Sequence, residues 1–106
     1  MDTRPLLGAW TSYDERTTGI LAMEIGERRG VLTVQVKNWD VTLGAAFGSR
    51  ADPTVACGFT AHFRMTDRTV LLAAYLNRRL IVVDAYTRFT DPEQPNMFHR
   101  DHLYLR

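Results

Sequence analysis

Apolar and polar residues alternate with a period of two along most of this chain, in short stretches bounded by Gly, Pro, Asn and Asp. Half-buried β-strands joined by tight turns produce that pattern. Eight strands are predicted: Leu6–Tyr13, Thr18–Ile25, Val31–Lys37, Val41–Phe47, Ala56–Met65, Thr69–Leu76, Arg79–Phe89 and Met97–Leu105. Leu21, Met23 and Ile25 share one face of the second strand. Leu32, Val34 and Val36 form the inward face of the third, and Phe59, Ala61, Phe63 and Met65 that of the fifth. Residues 26–30 read as a glycine-bracketed hairpin loop and Asn77-Arg78 as a two-residue turn. Prolines at 53, 92 and 95 keep their segments out of any ladder.

Short connections make sequential strands antiparallel neighbours. Closing such a series on itself removes the exposed sheet edges. The expected fold is therefore all-β, an eight-stranded antiparallel up-and-down β-barrel forming one domain over residues 1–106. A two-sheet sandwich is the alternative.

The seventh strand admits two orientations. Ile81, Val83, Ala85, Thr87 and Phe89 occupy one parity; Leu80, Val82, Asp84, Tyr86 and Arg88 occupy the other. Burial statistics favour the first set inside. The second set inside would aim a carboxylate, a phenol and a guanidinium into a pocket, which ligand recognition requires. A β-bulge midway along the strand would also reverse parity. Asp84 and Tyr86, with Asp40, are the candidate catalytic groups, because a desolvated carboxylate or phenol can move a proton. Ser12, Trp39, Tyr75, Arg88 and His99 are the candidate ligand-binding residues. Ser12 shares a face with Trp10, and Trp39 belongs to the connection Asn38-Trp39-Asp40, where it either lines a barrel mouth or covers it.

Composition narrows the chemistry. The hydrophobic fraction of 45% and charged fraction of 24% are those of a soluble globular protein. A net charge of +1 leaves no footprint for nucleic acid or an acidic membrane. Arginine supplies 12 of the 13 basic residues, and Arg28-Arg29 and Arg78-Arg79 fall at predicted turns, where solvated charge is the simpler reading. The N-terminus lacks a signal-peptide pattern, and no apolar run approaches the ~20 residues of a membrane helix, which predicts a cytoplasmic protein. The single cysteine, Cys57, excludes an internal disulfide and has no adjacent histidine, so it reads as a small packed side chain. His62 points away from the predicted core. His99 and His102 lie on opposite strand faces and cannot share a metal, so no cofactor is expected. No Ser–His–Asp, Cys–His, phosphate-loop or dinucleotide fingerprint is present.

Gly8 and Trp10 on the first strand, with Arg106 (or Arg100) on the last, resemble the structural signature of calycin barrels, the lipocalins, fatty-acid-binding proteins and avidins. The resemblance implies that Trp10 plugs the barrel floor with a guanidinium stacked on its indole, a contact of about 0.5–2 kcal/mol. Leu7-Gly8-Ala9-Trp10, Thr18-Gly19-Ile20, Leu32-Thr33-Val34 and Tyr86-Thr87-Arg88-Phe89-Thr90-Asp91 also resemble a group of small bacterial domains with a Gly-X-Trp start. Those domains often carry a cysteine- and histidine-containing insert near the third strand. Here that region reads Lys37-Asn38-Trp39-Asp40-Val41-Thr42, and any metal or redox role of the insert does not transfer.

Three functions fit these readings. The first is a barrel binding a small hydrophobic or amphipathic molecule through a few polar anchors. The second, an alternative in keeping with calycin-like barrels of natural-product pathways, is a cofactor-free cyclase or isomerase acting on a polyene or polyketide-like substrate inside the barrel. The third is a barrel filled by its own side chains whose outer face mediates assembly. Apolar residues on both parities of several strands make a homodimer the expected assembly.

Overall fold

The computed structural model describes residues 1–106. After a 3-10 turn at Arg4–Leu6 the strands are β1 Gly8–Ser12, β2 Ala22–Arg28, β3 Val31–Val36, β4 Thr42–Gly48, β5 Ala56–Arg64, β6 Arg68–Asn77, β7 Leu80–Phe89 and β8 Met97–Leu105. Each pairs antiparallel with the next, and β8 returns to β1 through Trp10↔Leu105, Thr11↔Tyr104 and Ser12↔Leu103, so the barrel closes. The architecture is the up-and-down barrel that the alternation predicts, and it is consistent with a calycin-like barrel. No helix is long and apolar enough to cross a membrane.

Strand boundaries differ from the periodic reading for local reasons. Proline fixes φ and lacks an N–H, and Pro5 sits in the 3-10 turn, which delays β1 to Gly8. Leu6 of that turn is fully buried, and its carbonyl accepts the Trp10 indole N–H at 2.9 Å. β2 starts only at Ala22 and runs on through Gly26, Glu27 and Arg28, which the sequence reading placed in a loop. Glu27↔Leu32 and Arg28↔Val31 pairing leaves Arg29-Gly30 as the whole turn. Both have positive φ, 53° and 80°, as a type I′ hairpin turn requires. The β6–β7 turn is Arg78-Arg79 rather than Asn77-Arg78, since Asn77 pairs with Leu80.

The inward faces of β3 and β5 are those predicted. Leu32, Val34 and Val36 meet Phe59, Ala61 and Phe63 in one core cluster with Ile81, Val83, Ala85 and Leu103. β7 therefore turns its greasy parity inward. Asp84, Tyr86 and Arg88, the favoured candidates for a polar pocket, point away from the interior. A register irregularity exists, but it lies at Phe47/Gly48 in β4 and leaves β7 regular.

Both barrel ends are stoppered. Leu6 and Trp10 fill the end from which β1 rises, while Trp39 packs edge-on against Phe63 at the other, ring centroids 5.0 Å apart. The expected stacking of a guanidinium on Trp10 is not formed. Leu105 pairs with Trp10, so period two sends the Arg106 side chain to the opposite face, where it is exposed. Arg100 is engaged on the outer surface with Asp84. An eight-stranded barrel is just wide enough for side chains to fill, and here they do.

Candidate functional site

A cleft of about 1530 Å³ opens beside the barrel, between the β1–β2 loop, β8 and the β6–β7 turn. Its loop wall is built locally. At the end of β1, the Ser12 hydroxyl donates to the Asp14 carbonyl at 2.9 Å and accepts the Asp14 N–H at 3.2 Å. Asp14 in turn accepts the Arg16 N–H at 2.9 Å, the short-range bonding by which Ser and Asp divert a chain from its ladder. Tyr13 leaves β1 pointing outward and meets Tyr104 of β8 edge to face, centroids 5.8 Å apart.

Asp101 ties the loop to the barrel. It is buried, and its Oδ2 accepts the buried Ile20 N–H at 2.8 Å. Its Oδ1 accepts the Thr17 hydroxyl and lies 3.3 Å from His99 Nε2. His99 Nε2 is also 3.2 Å from Thr17 Oγ1. Thr17 and Asp101 thus share one imidazole nitrogen, so no relay of hydroxyl, imidazole and carboxylate is assembled. Gly19 passes directly over this cluster, and a Cβ there would collide with both His99 and Asp101.

The cleft is cationic. Arg16, Arg78, Arg79 and Arg100 line it, against the carboxylates of Asp14 and Asp101. Arg100 alone has an ion-pair partner, because Arg16, Arg78 and Arg79 lie beyond salt-bridge distance of any carboxylate. Arg100 makes a two-pronged bond to Asp84, Nε to Oδ1 at 2.6 Å and Nη2 to Oδ2 at 3.0 Å. Those charge-assisted bonds hold the Asp84 carboxyl below its usual range, outweighing the opposing effect of burial, and raise the Arg100 guanidinium.

The predicted site residues do not converge. Ser12 and His99 line the cleft just described. Tyr75, Asp84, Tyr86 and Arg88 lie on the outer faces of β6 and β7, with Tyr75 and Tyr86 exposed. Trp39 and Asp40 border a second, smaller cleft of about 650 Å³ at the β3–β4 end, together with His62. Trp39 covers the barrel end there, and Asp40 is exposed. The candidate catalytic trio of Asp84, Tyr86 and Asp40 is therefore divided between the barrel wall and its rim.

Sequence reasoning missed Thr17, Asp101 and the lining arginines. One signal was available: His99 and Asp101 are two apart on a strand and so share a face. The rest required closure, which brings residues 13–18, 77–80 and 99–104 into one wall. No protein-family model, curated protein or solved structure matches the chain.

Proposed function

We propose that this barrel is a small-molecule-binding protein whose ligand, an amphipathic anion, sits in the cleft between the β1–β2 loop, β8 and the β6–β7 turn. The carrying observation is the gathering of Arg16, Arg78 and Arg79 around one cleft with no carboxylate paired to them. Guanidinium groups suit carboxylate, sulfonate or phosphate through paired N–H donors. The Tyr13–Tyr104 pair supplies an aromatic surface for an apolar body. The packed interior favours this outer cleft over a pocket inside the barrel.

The cyclase or isomerase reading would draw on the same wall, where His99 is the titratable side chain beside the buried Asp101. A substrate enclosed by the barrel does not suit an interior occupied by Phe59, Leu72, Ile81 and Leu103. The binding reading is the simpler.

Titration with an anilinonaphthalene sulfonate, followed by its fluorescence and by amide shifts of labelled protein, tests the proposal. Expected are saturable binding, shifts at residues 13–18, 78–79 and 99–104, weakening by salt, and a loss of about tenfold or more in Arg78→Glu/Arg79→Glu. Saturable shifts confined to barrel-interior residues would reject the site. So would no response to a panel of aromatic sulfonates, carboxylates and phosphates at about 1 mM.

A further inference from the structure

The two nitrogens of the His99 imidazole stand in different circumstances. Nε2 lies 3.2 Å from Thr17 Oγ1 and 3.3 Å from Asp101 Oδ1, and neither neighbour has a hydrogen to give it. The Thr17 hydroxyl donates its own to Asp101, while the Gly19 N–H donates to Thr17 Oγ1 at 3.0 Å. Both Asp101 oxygens accept, one from Thr17 and the other from the Ile20 N–H. Nε2 is therefore the donor. A neutral imidazole carries one N–H, so Nδ1 keeps a bare lone pair.

Nδ1 has no hydrogen-bond partner within the chain, since both contacts of the ring are made by Nε2. No buried side-chain nitrogen or oxygen lacks a partner, so Nδ1 is open to solvent. Gly19 lies over the Cδ2–Nε2 edge, which leaves the Nδ1–Cε1 edge to the cleft that His99 lines. Thr17, Asp101 and Gly19 thus hold this acceptor in place before any ligand arrives, and a preorganised group loses little freedom on binding.

The two ends of the cleft differ in charge. At the His99 end, Arg16 stands among the carboxylates of Asp14 and Asp101. At the other, Tyr104 pairs with Leu80, and the adjoining turn presents Arg78 and Arg79 without an ion-pair partner. Tyr13 stands between the ends, its N–H on the His102 carbonyl at 2.8 Å. His99 and Tyr104 are five positions apart on β8, about 17 Å at ~3.4 Å per residue, and the reach of an arginine shortens the span to about 10–15 Å.

We infer that the ligand is bipolar. Its anionic group lies at Arg78-Arg79, its apolar body on Tyr13 and Tyr104, and a hydroxyl at its far end donates to His99 Nδ1. This rests on the anion-cleft reading and adds the hydroxyl, the end it occupies and its separation from the anionic group. An anionic head moving toward His99 would meet Asp14 and Asp101, whereas a neutral O–H meets no like charge and finds an acceptor already placed.

Two rigid rods test it at about pH 8, above the ordinary histidine range: biphenyl-4-carboxylate and 4′-hydroxybiphenyl-4-carboxylate. The hydroxylated rod should bind about three- to tenfold tighter, the worth of one neutral hydrogen bond. The hydroxyl of 4-hydroxybenzoate, too short to span the cleft, should add nothing over benzoate. Long-range proton–nitrogen spectra of the free chain should show His99 protonated at Nε2 and bare at Nδ1. Nδ1 should then shift with the hydroxylated rod and not with its parent. His99→Phe keeps a ring without an acceptor and should bind both rods alike; the nitrogen shifts need no mutation and decide the matter even if that variant unfolds. A hydrogen on Nδ1 in the free chain would overturn the inference. So would equal binding of the two rods, a hydroxyl advantage that leaves Nδ1 unmoved or survives in His99→Phe, or an equal advantage for 4-hydroxybenzoate. If neither rod binds, the inference falls, and whether aromatic sulfonates still bind decides whether the anion cleft falls with it.

Discussion

Replacing Asp101 with alanine removes the carboxylate that joins β8 to the β1–β2 loop and leaves its partners to find others. The Ile20 N–H is enclosed by its own buried side chain, and without Oδ2 it has no acceptor. An unsatisfied buried donor costs about 1–3 kcal/mol. The Thr17 hydroxyl is only half-buried and can turn to water or to His99, so its loss is worth about 0.5–1.5 kcal/mol. Together Asp101→Ala should lower stability by about 2–4 kcal/mol, which for a domain of this size is a fall of roughly 10–25 °C in Tm. Asparagine is the discriminating control. Its carbonyl can still accept from Ile20, while its amide donates to Thr17 Oγ1 or a neutral His99 Nε2, so Asp101→Asn should cost about 1 kcal/mol or less. Urea unfolding gives both values, and amide exchange of Ile20 reports the bond itself. An alanine variant within about 0.5 kcal/mol of the native chain, with Ile20 still protected, would refute the idea that Asp101 anchors the loop. Equal losses in the two variants would instead show that the charge matters rather than the acceptors.

The Asp84–Arg100 pair should make stability depend on pH in a defined direction. The folded carboxyl is held below its ordinary value, so the stabilisation is complete above the unfolded value of about 3.9 and is lost as pH falls through the lower folded value. Asp84→Asn should therefore differ from the native chain in urea midpoint at pH 7 and converge with it toward pH 2; a difference that grows in acid would contradict the assignment. At the β2–β3 turn, Arg29 occupies left-handed backbone at φ 53° ahead of Gly30. Asparagine tolerates that region better, so Arg29→Asn should raise unfolding free energy by about 0.5–1 kcal/mol, and a decrease would show that the Arg29 side chain contributes more than its backbone costs.

Period-two alternation in the chain determined that there would be eight strands, and it determined the inward faces where one parity is plainly apolar. Leu32, Val34 and Val36 against Thr33 and Gln35, and Phe59, Ala61 and Phe63 against Thr60, His62 and Arg64, leave no choice, because a one-residue slip would bury polar groups. β7 lacked that contrast. Val82 is as apolar as Ile81 and Val83, so the orientation of β7 was decided by its neighbours: Arg100, the β8 partner of Asp84, bonds the carboxylate on the outer surface. Turn positions shifted by a residue or two for similar reasons, since pairing across the hairpin, not local propensity, made Gly26–Arg28 strand.

The cleft belongs to tertiary structure almost entirely. Thr17 and Asp101 are 84 residues apart, and only pairing of the last strand with the first brings the loop, the β8 rim and the Arg78-Arg79 turn together. Alternation is a local property and can be read along a line. Which distant positions share a wall depends on barrel closure and on the register of β1 with β8, and no window along the chain contains that information.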